Sequence, residues 1–264
     1  MGIGAVVVLL AGKITVLAAW MAIDWGIICF LFGMFYVGTA LEESGYIHEI
    51  VSRYLLEGCS QKTLALVIVF GMGIFSALLM NDTLAIIGTP LLIKVAQHRK
   101  IETRPLLLGL AFAITIGSVV SPIGNPQNLL IALQVPIYSP FTSFLKYLGI
   151  PTLINLVLLY FFLLYLMKNK KMQHTQRESP APYNKKLMRL AKVALGMVVI
   201  MIGYNILASF FPVHPIPLPG IALVPAAFLM IFGPKRKEIF TLLDWHTLIF
   251  FIAMFFLMRS VWET

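Results

Sequence analysis

The chain has 264 residues, of which 59% are hydrophobic and 12% are charged. Soluble domains carry about 25% charged residues, so this chain lacks the charge to cover a water-facing surface, and a soluble globular protein is excluded. The net charge of +9 is compatible with nucleic-acid binding, but the placement of the basic residues argues against it. The composition predicts an all-α membrane protein with several spans.

Apolar segments of span length follow one another along the chain, separated by short polar stretches. A span needs about 20 predominantly apolar residues. Residues 46–59 instead alternate polar and apolar side chains, which is typical of a helix lying along the membrane interface. The sequence predicts spans at 2–20, 24–43, 146–167, 188–210, 219–233 and 245–262, an interfacial helix at 46–59, and a cytoplasmic linker at 168–187.

Lys and Arg residues are concentrated in four stretches. Seventeen of the 20 fall, in groups of two, four, eight and three, within residues 46–62, 94–104, 168–192 and 235–238. None falls within residues 21–24, 135–145 or 211–219. Because cytoplasmic loops carry the Lys/Arg excess, we predict that the four basic stretches are the cytoplasmic loops of an inner-membrane protein. The basic charge then reflects topology, and we expect no nucleic-acid partner.

The segment between Lys62 and Lys94 is basic at both ends, so the chain enters and leaves on the same side of the membrane. The 31 residues between these lysines are too many for one span and too few for two, since each needs about 20. This length predicts a re-entrant hairpin at 63–93 with two short arms. Its tip is predicted around Asn81 and Asp82, near the middle of the membrane.

The segment 105–134 must cross the membrane once, yet it contains Pro122, Gly124 and Pro126. These residues predict a helix that is broken in mid-membrane. Pro126 disfavours a helical Asn125 and suits the first turn of a new helix that Asn125 caps. The alternative is a proline kink in a packed helix. A kink explains one proline, but not two prolines, a glycine and four uncharged polar side chains within eight residues.

The chain contains an internal repeat. Residues 23–44 match residues 243–264 at six positions, including the Asp-Trp pairs that begin at Asp24 and Asp244. The distribution of Lys and Arg places Asp24 outside and Asp244 inside, so the two copies are predicted to run in opposite directions. Inverted repeats of this kind are typical of secondary transporters, which bind substrate at the repeat interface.

The repeat predicts how the chain is organised. Residues 1–167 form a first repeat, and residues 188–264 form the start of a second, inverted one. The second copy stops at the position that corresponds to Ser44, ahead of its own hairpin and broken helix. We therefore expect the partner half-site to lie beyond Thr264, and we interpret the chain as incomplete.

Asp82 is the one charged residue between Lys62 and Lys94. An acidic residue at membrane depth is costly, and such residues are functional by default. The alternative is that Asp82 only caps the second arm of the hairpin, since Asn, Asp and Thr are good capping residues. The two roles are compatible. The same motif contains Asn81, Thr83 and, further along the arm, Thr89.

The broken helix supplies the second motif, in which Gly117-Ser118 is followed by the eight residues from Ser121 to Asn128. A mid-membrane break leaves backbone groups without helical partners. Carbonyls at the end of the first half-helix suit Na⁺, and N–H groups at the start of the second half-helix suit an anion. The motif therefore predicts a binding site for an ion, for a small solute, or for both.

The hairpin pattern NDT…TP, the loop GxxxSPIGNPQN and the span DW…GMF…LEESG resemble the ion transporter superfamily. The nearest branch contains arsenite permeases and NhaD-type sodium–proton antiporters, with dicarboxylate and citrate carriers as relatives. The loop differs from that of the arsenite pumps and lacks the acidic residue that the antiporters have near Asn125. The chain is therefore most similar to the anion permease members.

The resemblance implies that the hairpin tip and the loop of the broken helix together form one half of the ion and substrate site. It also implies a homodimer. Carried over to this sequence, it implicates Asn81, Asp82, Thr83, Ser121, Gly124, Asn125 and Asn128, and the two motifs add Thr89 and Ser118. We expect a Na⁺ site at Asn81, Asp82, Ser121 and Asn125.

Three functions are compared. The first is a secondary active transporter that moves a small anion, an inorganic oxyanion or a carboxylate, coupled to Na⁺ or H⁺ by alternating access. A Na⁺/H⁺ antiporter or an arsenite exporter is the alternative within that class. A membrane-embedded protease needs two cooperating carboxylates or a nucleophile with a base, and only Asp82 lies deep. A passive channel does not need inverted repeats. We expect a transporter rather than an enzyme, with the coupling ion, the anionic solute and the lipid bilayer as partners and no other cofactor.

Overall fold

The computed structural model describes residues 1–51, 60–168 and 184–262, and these ranges are built from α-helices joined by short turns. A π-helical segment, Val67–Gly71, joins α5 to α6 in one continuous helix from Gln61 to Leu79. The helices are α1 (Gly2–Leu10), α2 (Val16–Ala22), α3 (Trp25–Glu43), α4 (Tyr46–Val51), α5 (Gln61–Leu66), α6 (Met72–Leu79), α7 (Asn81–Arg99), α8 (Thr103–Ser118), α9 (Pro126–Gln134), α10 (Pro140–Met167), α11 (Lys185–Ala208), α12 (Leu218–Phe232), α13 (Arg236–Leu242) and α14 (Trp245–Trp262).

Several helices have the length and apolarity of membrane spans. Within the described ranges, four pass this test: α3, the continuous helix Gln61–Leu79, α10 and α11. The pair α13 and α14, bent by 51°, supplies a fifth if it is counted as one span. This set of long apolar helices is that of a multi-pass membrane protein.

Helix α3 lies at the centre of the fold. Phe30, Leu31 and Met34 on this helix are fully buried, and α11 and α12 pack against it. A Cβ on Gly33 would lie 2.7 Å from the carbonyl carbon of Ala222, so the backbones of α3 and α12 touch. Small residues at such crossings allow close van der Waals packing between helices in a membrane.

Helix α8 is the centre of a second group. Near its start, Gly109 lies against Ile68 of the π-helical segment. Near its end, a Cβ on Gly117 would overlap the carbonyl oxygen of Gly73 on α6. Since both contacts advance along the two helices together, the helix Gln61–Leu79 runs beside α8 in the same direction.

Helix α7 runs along α8 in the opposite direction. Gly88 of α7 lies against Leu110, in the middle of α8. The N–H of Asn81, at the start of α7, donates to the carbonyl of Gly124, which follows the end of α8. The helices before and after Met80 are therefore antiparallel and form a helical hairpin whose tip meets the broken helix.

The arms of this hairpin are longer than the short arms predicted from the sequence. They are Gln61–Leu79 and Asn81–Arg99, each 19 residues long. Ser60 caps the first arm, and Lys100, in a left-handed conformation, ends the second. The lysines used to bound the segment lie inside these helices, because a charged residue in a terminal turn does not end a helix.

The span predicted at 2–20 is two short helices rather than one. Gly12 has a φ of 64° between α1 and α2, and this left-handed conformation ends the first helix. The Thr15 hydroxyl then accepts a hydrogen bond from the N–H of Ala18, which begins the second helix. Lys13 lies in the intervening turn rather than within a span.

Other boundaries differ from the prediction by a few residues. Helix α10 starts at Pro140, which suits the first helical position, instead of at residue 146. The stretch predicted as a loop at 235–238 leads into α13, which the sequence did not predict. Of the interfacial helix at 46–59, α4 is described and the rest lies outside the described residues. The linker 168–187 also lies outside them, apart from Lys168 and its last four residues, where Asn184 caps α11.

Side-chain contacts group the ends of the helices on two faces. On one face, the Asp24 carboxylate accepts from the Gln134 amide, and the hydroxyls of Thr142 and Ser209 are 2.8 Å apart. These residues belong to, or adjoin, stretches that contain no Lys or Arg. On the other face, Lys235 lies 3.5 Å from Glu43, and Lys192 lies 3.7 Å from Glu49. Lys192 and Lys235, from two of the basic stretches, thus lie at the same end of the helix group as Glu43 and Glu49.

Candidate functional site

The break in the second helix is an ordered loop. Helix α8 ends at Ser118, and α9 begins at Pro126. The side-chain oxygen of Asn125 accepts a hydrogen bond from the N–H of Asn128 at 2.8 Å. Asn125 therefore caps α9, with Pro126 in its first turn, as the sequence predicts.

The amide group of Asn128 holds this loop together. Its nitrogen donates to the carbonyls of Ser118, Val119 and Ser121 at 3.4, 3.0 and 2.9 Å. The amide nitrogen of Asn125 donates to the Ser118 hydroxyl at 3.3 Å. The carbonyls expected to face a cation are thus already hydrogen-bonded by a neighbouring side chain.

Gly124 joins the loop to the hairpin. A Cβ at this position would overlap the carbonyl oxygen of Ser118, so only glycine fits. The Gly124 carbonyl accepts the N–H of Asn81 at 2.9 Å. Met80, just before, is fully buried and has a φ of 70°. This conformation is strained for a residue with a side chain, and it is the turn that brings Asn81 to the loop.

The groups left to bind a ligand at this junction are hydrogen-bond donors. The side-chain oxygen of Asn81 accepts the N–H of Asp82 at 3.0 Å, and its amide nitrogen has no acceptor among the described residues. The Ser121 hydroxyl accepts from the N–H of Ile123 at 3.3 Å, which leaves its own proton to donate. Donors without acceptors favour an anion or a hydroxylated solute over a cation.

Asp82 and Thr83 follow Asn81 in the first turn of α7. Thr83 is 6% exposed and packs against Gly38 of α3. The Asp82 carboxylate is partly buried, and Asp244 lies within its electrostatic range. Thr89 lies about 10 Å further along α7, at 1.5 Å per residue.

The predicted site is therefore divided. The structure brings Asn81 together with the loop residues Ser118, Ser121, Gly124, Asn125 and Asn128. Within the described ranges no hydrogen bond joins the Asp82 carboxylate to the loop, so the Na⁺ site expected at Asn81, Asp82, Ser121 and Asn125 stays a prediction.

Three polar residues beside Thr83 are absent from the sequence prediction. Thr39, Glu42 and Asp244 line a cavity of about 50 Å³ together with Thr83. From the sequence, Asp244 serves only as a marker of the repeat, and Glu42 only as the end of a span. The sequence did contain a signal for Glu42 and Asp244: each is an acidic residue beside a long apolar segment, and such residues are costly in a membrane.

The sequence profile of the CitMHS citrate transporter family matches residues 1–264. The chain belongs to this family. Its membership confirms the resemblance to citrate-transporter-like and arsenite-permease-like proteins.

Several relatives carry names of the same kind. The inner membrane protein YbiR of Escherichia coli is 28% identical over 236 residues, which are 89% of this chain and 59% of that protein. The uncharacterized transporter Rv2685 of Mycobacterium tuberculosis is 25% identical over 254 residues, which are 92% of this chain and 57% of that protein. The chain thus spans little more than half the length of these relatives.

A third relative matches about half of this chain at a higher identity. The silicon efflux transporter LSI3 of rice is 33% identical over 143 residues, which are 54% of this chain and 29% of that protein. The names of these relatives describe transporters or membrane proteins rather than enzymes. Together with the apolar helices, they support a multi-pass membrane location.

Proposed function

We propose that the protein to which this chain belongs is a secondary active transporter of a small anion, coupled to Na⁺ or H⁺. The observation that carries the proposal is the hydrogen bond from the Asn81 N–H to the Gly124 carbonyl. It joins a strained hairpin tip to the break between two half-helices. Discontinuous helices are how many secondary transporters bind their substrates.

The chemistry of the junction suits a small oxyanion or a carboxylate. The positive end of the α9 dipole points into the break, where the Asn81 amide and the Ser121 hydroxyl are available as donors. Between Arg104 and Lys146 the sequence has no Lys or Arg, so the anion meets neutral donors. Such a site binds weakly enough to release its solute, which a transporter requires.

The neutral lining supports a second candidate, the export of an uncharged hydroxylated solute. Arsenite and silicic acid are largely uncharged at neutral pH and present O–H groups. Two relatives are named the silicon efflux transporter LSI3 and, in Dictyostelium discoideum, the putative transporter arsB. The loop donors serve both candidates, so the two are separated by measuring which solute is carried.

The mechanism we propose is alternating access between inverted repeats. The hairpin and the broken helix are tied at their tips, so they move together as one unit. The α3–α12 pair, where Gly33 meets Ala222, belongs to the scaffold. The face that carries Glu43 and Lys235 is the cytoplasmic face in this proposal, because two of the basic stretches reach it.

Flux measurements on proteoliposomes containing the full-length protein test the proposal. Citrate, arsenite and silicic acid are offered separately, with Na⁺ and proton gradients imposed one at a time. We expect one solute to accumulate against its gradient when one of the two ions flows inward, or to be exported in exchange. Asn81→Ala should slow this flux, and Asn155→Ala on the exposed face of α10 should not.

Two results would overturn the proposal. Flux of all three solutes that ignores both gradients contradicts coupled transport. Flux that is unchanged in both Asn81→Ala and Ser121→Ala contradicts the placement of the site at the junction.

A further inference from the structure

We propose that Thr39, Glu42, Thr83 and Asp244 form a Na⁺ site that is separate from the solute junction and is reached along helix α7. This inference rests on the proposed function in one respect, because it assigns the site to Na⁺ as the ion that drives transport. It is tested by ion binding alone, so it stands or falls independently of transport.

The residues come from three elements that meet beside the hairpin tip. Thr39 and Glu42 lie on the second half of α3, Thr83 lies in the first turn of α7, and Asp244 precedes α14. All four line the cavity of about 50 Å³. A single water needs about 15 Å³ on this measure, so the space suits one ion with one or two waters.

Thr83 gives an independent reason to expect a ligand. Its hydroxyl oxygen is buried and has no hydrogen-bond partner among the described residues. The side chain is 6% exposed, and it faces Gly38, which is itself a wall of the cavity. A buried hydroxyl without a partner is costly. An oxygen-coordinated cation in the cavity would remove that cost.

The wall that α7 contributes holds a further oxygen. Pro90 has no N–H, so the carbonyl of Ile86 lacks the helical donor that it would otherwise receive. Ile86 lines the same cavity as Thr83. Carbonyls freed from helical bonding are Na⁺ ligands in broken transporter helices.

The electrostatics of the cavity favour a cation. Glu42 and Asp244 contribute two carboxylates, and Asp82 lies within electrostatic range of Asp244. Glu42 is exposed at the rim and forms no ion pair within the described ranges. Oxygen donors of this kind suit a hard cation. Ca²⁺ takes six to eight oxygens, more than the five residues named here that offer one, so the number of donors favours Na⁺.

A wider cavity leads to this site. It has a volume of about 260 Å³ and shares Glu42 and Ile87 with the smaller one. It continues along α7 past Pro90 to Lys94. Lys94 is the positively charged residue among those that line this path, and its backbone lies about 16 Å along α7 from that of Thr83, at 1.5 Å per residue. Glu42 therefore stands between the basic end of α7 and the site.

The alternative is a purely structural role, in which Asp244 only caps α14. It does accept from the N–H of Thr247 at 3.0 Å and from the Thr247 hydroxyl at 2.5 Å. Asp24 does the same for α3, accepting from the N–H of Ile27 at 3.1 Å, and it lies away from the cavity. Asn is as good a cap as Asp. Asp244→Asn and Asp24→Asn are therefore a matched pair in which both caps survive and only one change removes a cavity charge.

Equilibrium binding of ²²Na⁺ to the purified full-length protein, by scintillation proximity, tests the site. We expect saturable binding that choline does not displace. Asp244→Asn and Thr83→Val should each weaken it about tenfold or more. Thr83→Ser, which keeps the hydroxyl, and Asp24→Asn should bind like the unaltered protein. Size-exclusion profiles confirm that each variant is folded.

The outcomes separate the two proposals. No saturable Na⁺ binding, or equal loss in Asp24→Asn and Asp244→Asn, overturns the Na⁺ site. Binding of Ca²⁺ that Na⁺ does not displace overturns it as well. If Na⁺ binds as expected while no solute is carried under any gradient, the site stands and the transport proposal falls.

Discussion

The loop between α8 and α9 and the cavity beside α7 both adjoin the same hairpin tip, and they differ in how their polar groups are satisfied. In the loop, Asn128 and Asn125 donate to the backbone and hydroxyl groups around them. In the cavity, the Thr83 hydroxyl has no partner within the described ranges.

This difference indicates that the loop is preorganised, whereas the cavity is stabilised by binding a ligand. A loop whose polar groups bond to one another keeps its shape without a ligand. A cavity with an unsatisfied hydroxyl and two carboxylates is stabilised when an ion arrives. Substitutions in the loop should therefore damage the fold, whereas substitutions in the cavity should alter ligand binding and change stability in the opposite direction.

Gly124→Ala should have the largest effect. The added Cβ overlaps the Ser118 carbonyl oxygen, which belongs to the backbone and cannot move aside. We expect a loss of about 3 kcal/mol in the free energy of unfolding, measured by thermal unfolding in detergent, together with loss of flux. Gly203→Ala is the control, because a Cβ there meets nothing within 4 Å. Equal melting temperatures for the two variants would contradict the close fit of the loop.

Asn128→Ala should have the next largest effect. It removes the donor shared by three carbonyls, of which those of Ser118 and Ser121 are in partly buried hydrogen bonds. We expect a loss of about 2 kcal/mol of stability. Asn155→Ala, which removes one exposed bond to the Pro151 carbonyl, should cost less than about 0.5 kcal/mol. Equal losses of stability in Asn128→Ala and Asn155→Ala would show that other contacts hold the loop.

Thr83→Val should have the opposite sign. In Na⁺-free buffer it replaces a buried, unpartnered hydroxyl by a methyl group of similar shape. We expect a gain of about 1 kcal/mol in stability, seen as a higher melting temperature. Added Na⁺ should stabilise the unaltered protein but not this variant. A variant that is less stable than the unaltered protein without Na⁺ would show that the hydroxyl has a partner.

Lys235 provides the smallest expected effect, outside both regions. Its ammonium lies 2.9 Å from Glu238 and 3.5 Å from Glu43. The hydrogen bond to Glu238, aided by the charges of both carboxylates, raises the pKa of Lys235 above its ordinary value of 10.5. A raised lysine pKa stabilises the fold below the ordinary value, and this contribution is lost as the pH rises through the raised one.

The measurement for Lys235 is a comparison of melting temperatures between the protein and Lys235→Met from pH 8 to pH values above 10.5. The side chain is 34% exposed, so solvent screening should keep the difference below about 1 kcal/mol. The two curves should converge at the alkaline end. A gap that widens with pH would contradict the assigned charge contacts.

Local rules explain the features that could be predicted from the sequence. Pro126 restricts Asn125 and suits the start of a helix, so the break and its cap follow from adjacent residues. Asp24 and Asp244 precede apolar runs and cap helices for the same local reason.

The same local rules were insufficient at other positions. Gly12 and Thr15 divide the first span, although the residues around them are apolar enough for one helix. The hairpin arms extend past their terminal lysines, since charge alone does not end a helix. These local choices depend on conformational energies that differ by about 1 kcal/mol, so composition does not decide them.

The sequence by itself determined that this is a membrane protein, where several of its long apolar helices lie, where the broken helix lies, and its family. The physical reason is that apolarity, charge placement and proline geometry act within a few neighbouring residues. The tertiary structure decided which polar groups meet. It turned Asn128 onto three carbonyls of the loop, and it brought Asp244 beside Thr83, because α7, α13 and α14 pack against the same half of α3.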